Sequence, residues 1–247
     1  MTAFTACGTK QAKDTDADNQ GKKLEIVTTI FPEYDWVRNI LGEKADNTEL
    51  TMLLDNGVDL HSYQPTADDL SKISSCDMFI YVGGESDEWV EDALASAPNP
   101  NRKVIKLMDV VDDLKEEEII EGMEAEDEHE HEENEELVVE DIKRPEYDEH
   151  VWLSLKNTEK ICQTIADTLS EITGETYSAD AYIEELKSLD KEYKSAVDSS
   201  DKKVLLFGDR FPFRYMTDDY GLDYYAAFVG CSAEMEARTQ KNISLHV

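Results

Sequence analysis

The stretch that decides the fold reads LEIVTTIFP and runs from Leu24 to Pro32. Its first seven residues are rich in β-branched side chains, which favour a β-strand. Pro32 suits the first turn of a helix. Apolar residues then recur at helical spacing, at Tyr34, Val37, Ile40 and Leu41. The sequence therefore predicts a strand that leads directly into a helix.

The same alternation continues along the chain. Further strands are predicted at 49–54, 77–82 and 103–107. Thr66 is predicted to cap one intervening helix, with Asp69 as the reciprocal acid of a capping box, and Ser86 to cap the next. Alternating strands and helices predict a parallel sheet with helices on both faces. Ligands of such sheets bind beyond the carboxyl ends of the strands, so His61, in the loop after the second strand, is a candidate binding residue.

A second α/β unit follows two long helical stretches, the first of which Asn157 is predicted to cap. It has a strand, a helix that Pro212 opens and a further strand, which is too little for a lobe comparable with the first. The second lobe is therefore expected to be incomplete. The predicted units are a flexible tether at 1–22, a first lobe at 23–154 with an acidic insert at about 112–147, linking helices at 155–200 and a partial second lobe at 201–247.

The charge of the chain limits its partners. The 247 residues carry a formal net charge of −33, which argues against nucleic acid because two polyanions repel. Of the 38 residues from 112 to 149, 20 are Asp or Glu. His129 and His131 lie in this run and can collect zinc weakly, raising its concentration near a stronger site. The alternative is a solvated acidic loop with no such role.

The N-terminal sequence is informative. FTACG, which ends in Cys7-Gly8, is similar to the end of a bacterial lipoprotein signal, in which the cysteine is acylated. The alternative is an ordinary tail with a chance cysteine. Because the apolar part of a signal is missing, the start is expected to be clipped. Cys76 and Cys162 are in no CxxC pair and are expected to be buried small apolar residues.

The motifs of common enzyme classes are absent. The insert reads His-Glu-His-Glu-Glu from residue 129, which does not fit the HExxH spacing of a metalloprotease, and no GxSxG, Walker loop or GxGxxG occurs. No run approaches the roughly 18 apolar residues of a transmembrane helix. We therefore expect a binding protein and not an enzyme.

Two motifs suggest a family. HSYQPTADD at 61–69 precedes the acidic insert, and DEHVWLSLKN at 148–157 leads into a long helix. With the cysteine near the start, and over roughly residues 24–230, the chain resembles the zinc- and manganese-binding lipoproteins of metal ABC importers, the solute-binding proteins of cluster A-I. The resemblance implies two Rossmann-like α/β lobes joined by a long rigid helix. It also implies a metal between the lobes, bound by three histidines and a carboxylate.

The resemblance also implies which residues bind the metal. His61 and His150 match the first two histidines. Gly208 stands where the third histidine is usual, and Asp209 matches the aspartate after it. The family's final carboxylate falls beyond the last residue, and Glu234 is a nearby candidate. From the residues alone, Asp209 is a ligand, a group that orients a histidine, or a helix-start acid, and Glu234 is a ligand or a solvated side chain.

The expected function is capture of Zn(II), or less readily Mn(II), outside the cell and its delivery to an ABC permease in the membrane. Histidine ligands favour Zn because Mn prefers more oxygen. The protein is expected to be a monomer anchored through a lipid on Cys7. The alternative is a degenerate or truncated lipoprotein that binds metal only weakly through the insert.

Two further expectations concern residues near the site. Trp152 and Leu153 are expected to pack in the core beneath it. Arg210 and Arg214 are expected to pair with nearby carboxylates.

Overall fold

The computed structural model describes residues 23–55, 57–95, 99–120, 122–123 and 147–230. The tether at 1–22 and most of the acidic insert therefore lie outside the described residues. So do four of the predicted functional residues, namely Cys7, His129, His131 and Glu234.

The first lobe is built on a parallel sheet. Its strands are β1 (Leu24–Thr28), β2 (Thr48–Met52), β3 (Met78–Tyr81) and β4 (Lys103–Lys106). They lie in the order β2-β1-β3-β4, and each neighbouring pair is parallel. Its helices are α1 (Phe31–Leu41), α2 (Ala67–Ser75), α3 (Trp89–Ala95) and α4 (Leu107–Val110). The predicted alternation of strands and helices is confirmed.

Two of the predicted helix starts are confirmed and three need correction. The helix predicted to open at Pro212 begins at Arg214. Phe31 begins α1, and Thr66 and Asp69 form the predicted capping box of α2. The residue before α5 (Leu155–Thr173) is Ser154, whose hydroxyl accepts the backbone N–H of Asn157, so Ser154 and not Asn157 is the cap. Ser86 does not stand directly before α3, because it lies inside the preceding 3₁₀ turn Glu85–Asp87.

The core lies between the sheet and α5. Ile26, Phe79 and Ile80 of the sheet are fully buried, and α5 contributes Ile161 and Leu169 from its apolar face. Each such side chain contributes roughly 1.5–3 kcal/mol on transfer from water. Cys76 and Cys162 are buried and free, as predicted, and burial raises the pKa of each thiol to about 12.

The second α/β unit is small and follows the helix α6 (Asp180–Ser199). Its own elements are β5 (Val204–Arg210), α7 (Arg214–Tyr220) and β6 (Asp223–Phe228). β5 and β6 pair in parallel. At about 1.5 Å per residue, α6 spans roughly 30 Å and leads from the first lobe to this unit. Among the described residues no helix is long and apolar enough to cross a membrane.

Polar contacts from α7 hold the second unit against the first lobe. The hydroxyl of Tyr215 donates to the backbone oxygen of Asp148 at 2.8 Å. Asp219 accepts the hydroxyl of Ser154 at 2.6 Å and pairs with Lys156 at 2.9 Å. These contacts place the carboxyl end of β5 opposite the loops that follow β2 and β3.

Candidate metal centre

His61 lies in a short turn after β2. The 3₁₀ turn Leu60–Ser62 carries it, and the buried side chains of Leu60 and Tyr63 anchor the turn in the core. The carboxylate of Asp59 accepts the backbone N–H of His61 at 3.0 Å through Oδ1. A side-chain oxygen before a turn satisfies a donor that would otherwise have no partner, so Asp59 fixes the backbone of His61.

The imidazole of His61 faces two groups of the first lobe with its Nδ1 atom. This atom lies 2.8 Å from the hydroxyl oxygen of Ser86 and 3.7 Å from Oε2 of Glu149. The backbone N–H of Ser86 donates to Oε1 of Glu149 at 2.9 Å. Since Nδ1 is directed at Ser86 and Glu149, Nε2 is the nitrogen of His61 that is suited to bind a metal.

Glu149 is buried, and the backbone leaves a space for it. It is 2% exposed, and burial raises the pKa of its carboxyl. Gly84 has a φ of +79°, and a Cβ there would overlap the carboxyl group of Glu149. The two glycines after β3 therefore do more than end the strand, since Gly84 makes room for a group beside His61.

His150 is held in the same way by its own neighbour. Oδ1 of Asp148 accepts the backbone N–H of His150 at 2.8 Å and lies 3.0 Å from its Nδ1. Asp148 is 2% exposed and His150 is 5% exposed. A carboxylate that accepts one ring N–H of a histidine orients the ring and makes the other nitrogen a better metal ligand.

The two imidazoles lie side by side although 89 positions separate them in the sequence. Their ring centroids are 5.3 Å apart, with 57° between the ring planes. Burial lowers the pKa of His61, and the neighbouring His150 lowers it further. A neutral imidazole has a lone pair for a metal, so this environment favours the form that binds zinc.

A cleft of about 530 Å³ opens beside the two rings, at the carboxyl ends of β2 and β5. The second unit contributes Asp209, Arg210 and Phe213 to its wall. Trp152 packs against the core, as predicted, and Trp152 and Leu153 also line the cleft. The ring of Trp152 is 5.1 Å from that of His150 and shields one side of it.

The described residues supply only part of a coordination sphere. Asp209 is exposed on the cleft wall opposite the histidines. Within the described ranges, no three His, Cys, Asp or Glu side chains lie close enough to hold one metal ion. Gly208 does not line the cleft, and a Cβ there would meet nothing within 4 Å. The geometry therefore gives a pair of histidines with a carboxylate across an open cleft.

Both arginine predictions are confirmed. Nη2 of Arg210 lies 2.8 Å from Oδ2 of Asp59, and Nη2 of Arg214 lies 3.1 Å from Oε2 of Glu118.

Sequence reasoning missed the supporting groups Ser86, Asp148 and Glu149. Asp148 could have been predicted from its position two residues before His150. That spacing allows its side chain to reach both N–H groups of His150. The contact of Ser86 with Glu149 spans 63 positions and had no local signal.

Comparison with known proteins places this arrangement in a family. The family described as "Zinc-uptake complex component A periplasmic", ZnuA, matches residues 26–246. This chain belongs to that family. The resemblance found in the sequence motifs is thereby confirmed.

Individual members of the ZnuA family and related structures are similar over most of the chain. The "Zinc-binding protein AdcA" of Streptococcus pyogenes serotype M3 is 31% identical over 235 residues, which cover 90% of this chain and 42% of AdcA. The "High-affinity zinc uptake system protein ZnuA" of Bacillus subtilis is 29% identical over 222 residues, 88% of this chain and 64% of that protein. The chain thus spans less than two thirds of the length of these relatives.

A solved structure gives the same result for the fold. The Zn(II)-bound ZnuA-like domain of AdcA from Streptococcus pneumoniae has a TM-score of 0.64 and 28% identity, covering 84% of this chain and 67% of that one. The predicted class, a parallel α/β fold of ZnuA-like lobes, is confirmed.

Proposed function

We propose that this chain is the zinc-capturing component of an ABC importer, which binds Zn(II) in the cleft and delivers it to a permease. The observation that carries the proposal is the pair of buried imidazoles 5.3 Å apart, each with Nδ1 held by groups of the first lobe. Zinc prefers neutral histidine nitrogens at about 2.0–2.1 Å. A pair whose Nε2 atoms are assigned to one cleft is a preorganised half of such a site.

His61 and His150 are the proposed ligands from the first lobe. Asp209 is the proposed carboxylate from the second unit, because it lines the same cleft. Glu234 stays a weaker candidate, and His129 and His131 stay candidates for accessory zinc binding. Mn(II) is the less suited cargo, since it prefers oxygen ligands and two of the proposed ligands are histidine nitrogens.

The family and the sequence support a proposal for the wider setting. We propose that the protein acts outside the cytoplasm as a monomer, anchored in the membrane by a lipid on Cys7, and that it performs no catalysis. The name of a Streptococcus pneumoniae relative, "Zinc-binding lipoprotein AdcA", supports the anchor; this relative is 33% identical over 220 residues.

The decisive experiment is a zinc titration against a competing chelator. The wild-type chain should bind one zinc ion tightly, with a dissociation constant below 1 μM, about −8 kcal/mol or better. His61→Ala and His150→Ala should each weaken binding at least a hundredfold. Ser62→Ala is the matched control, because Ser62 lies in the same turn as His61 and is exposed. Tight binding in both histidine variants would overturn the ligand assignment.

A deletion tests the competing interpretation, in which the insert alone binds metal weakly. Removing residues 124–140 should leave the tight site intact, because His61 and His150 are held by contacts outside that segment. Loss of most zinc binding in this variant would instead assign the metal to the insert.

A further inference from the structure

We propose that Arg210 is a positioning residue for zinc capture, which links the second unit to the turn that carries His61 through Asp59. The inference rests on the proposed function, because it concerns how that zinc site is kept in place. Arg210 itself does not bind the metal.

Asp59 connects the two parts by using both carboxylate oxygens. Its Oδ1 accepts the backbone N–H of His61 at 3.0 Å. Its Oδ2 accepts Nη2 of Arg210 at 2.8 Å, across 151 positions of sequence. A rotation of Asp59 that breaks the contact with Arg210 therefore also disturbs the hydrogen bond that fixes His61.

The turn around His61 needs such support more than the segment around His150. Residues 57–59, which lead into the turn, are exposed. By contrast, Asp148, Glu149 and Val151 around His150 are all at most 2% exposed. Metal ligands must be held within about 0.5 Å of their working geometry. An added contact therefore stabilises the position of His61, in the more exposed segment, more than that of His150.

Among the residues that the structure describes, three other ion pairs of the second unit end away from the metal site. Arg214 pairs with Glu118, and Lys115 and Lys156 pair with Asp218 and Asp219. These pairs and the hydroxyl of Tyr215 keep the unit attached when Arg210 is changed. The effect of Arg210 should therefore be local to the His61 turn.

A guanidinium group in a cleft for a dication has an opposing effect. Its charge repels Zn(II), so a purely electrostatic role predicts that removing it tightens zinc binding. The positioning role predicts faster zinc release. The direction of the change therefore distinguishes the two roles.

The test measures zinc release by stopped-flow mixing of the zinc-loaded full chain with excess chelator. Arg210→Gln should release zinc about three- to fivefold faster, as expected for a half-exposed ion pair worth up to about 1 kcal/mol. Arg210→Lys should restore most of the wild-type rate, because one charged donor reaches Asp59 in place of another. Arg214→Gln is the matched control, with similar exposure and an ion pair of similar length, and should release zinc at the wild-type rate.

Asp59→Asn provides a second, independent test. It keeps an oxygen for the N–H of His61 but loses the charge that Arg210 contacts, so it should also release zinc faster. The double variant Asp59→Asn/Arg210→Gln should then be no faster than Asp59→Asn alone, because both changes break one contact.

Three results would overturn the positioning role. They are an unchanged or slower release from Arg210→Gln, additive effects in the double variant, and an equal acceleration by Arg214→Gln. A wild-type chain that binds no zinc would overturn the proposed function and this inference together, whereas tight wild-type binding with any of the three results overturns the positioning role alone.

Discussion

The two walls of the cleft differ in how firmly they are built. The first-lobe wall comprises His61, His150 and the acids Asp148 and Glu149, whose side chains are at most 7% exposed. The second-lobe wall comprises Asp209 and Arg210, at the exposed end of a two-stranded sheet. The buried polar groups of the site therefore lie on its first-lobe side. The first-lobe wall holds its two histidines in place through buried acids, and the second-lobe wall adds charge.

The largest expected effect concerns buried acid in the first lobe. Glu33 is fully buried in α1, and burial raises the pKa of its carboxyl to about 8 although Thr29 and Ile30 donate to it. Between pH 4.5 and 8 the unfolded chain loses this proton while the folded protein keeps it, so the free energy of unfolding falls as pH rises. A shift of this size corresponds to something on the order of 5 kcal/mol.

Urea unfolding at pH 5 and pH 8.5, in the presence of a chelator, measures this loss. Glu33→Gln should remove most of this pH dependence of the unfolding free energy. The amide oxygen still accepts hydrogen bonds from the same donors, and the side chain does not titrate in this range. Asp87, whose pKa burial raises to about 6, should account for a smaller remainder. Equal stability of the wild-type chain at both pH values would contradict the raised pKa of Glu33 in the folded protein.

The next effect tests the space left for Glu149. Gly84→Ala adds a Cβ that overlaps the carboxyl group of Glu149 at a backbone conformation that only glycine adopts readily. It should lower the free energy of unfolding by about 3 kcal/mol and weaken zinc binding. Gly221→Ala in the second unit is the control, since its φ is also positive but a Cβ there meets nothing. The control should lower the free energy of unfolding by only about 1 kcal/mol. Equal losses in the two variants would show that the space beside Gly84 is not needed for Glu149.

Replacing Asp148 tests whether its carboxylate orients His150. Asp148→Asn keeps an oxygen near Nδ1 but loses the negative charge, so zinc affinity should fall about tenfold, at the low end of effects for groups that orient a ligand. Chelator competition measures it, and unchanged circular dichroism checks the fold. A change below twofold would show that this carboxylate does not support the metal.

The smallest effect should come from the second-lobe wall. Asp209→Asn should weaken zinc binding only about threefold, because water screens the charge of an exposed carboxylate. The same chelator competition measures it beside Asp148→Asn. A loss of tenfold or more would reverse the ranking of the two walls, and an unchanged affinity would remove Asp209 from the proposed ligands.

Local features of the fold could be predicted from the sequence. The capping box of Thr66 and Asp69, the start of α1 and the glycine after α5 depend on residues a few positions apart. The strands and helices followed from hydrophobic periodicity, and the parallel sheet followed from their alternation. The pairing of His61 with His150 followed only from the order of two motifs that the family shares.

The rest of the site depends on contacts between distant positions. The hydroxyl of Ser86 meets His61 only because the loops after β2 and β3 end at the same edge of the sheet. The same holds for Arg210 and Asp59, which belong to different lobes. A prediction from local sequence read Ser86 as a helix cap, because local patterns do not report such contacts.

X-ray absorption at the zinc edge of the loaded protein tests directly whether His61 and His150 bind the metal. The measurement should use the His129→Ala/His131→Ala variant, so that the insert cannot supply histidines. We expect two imidazole nitrogens at about 2.0–2.1 Å from zinc, and their loss when His61 and His150 are also replaced. A spectrum without imidazole ligands in the first variant would contradict this expectation.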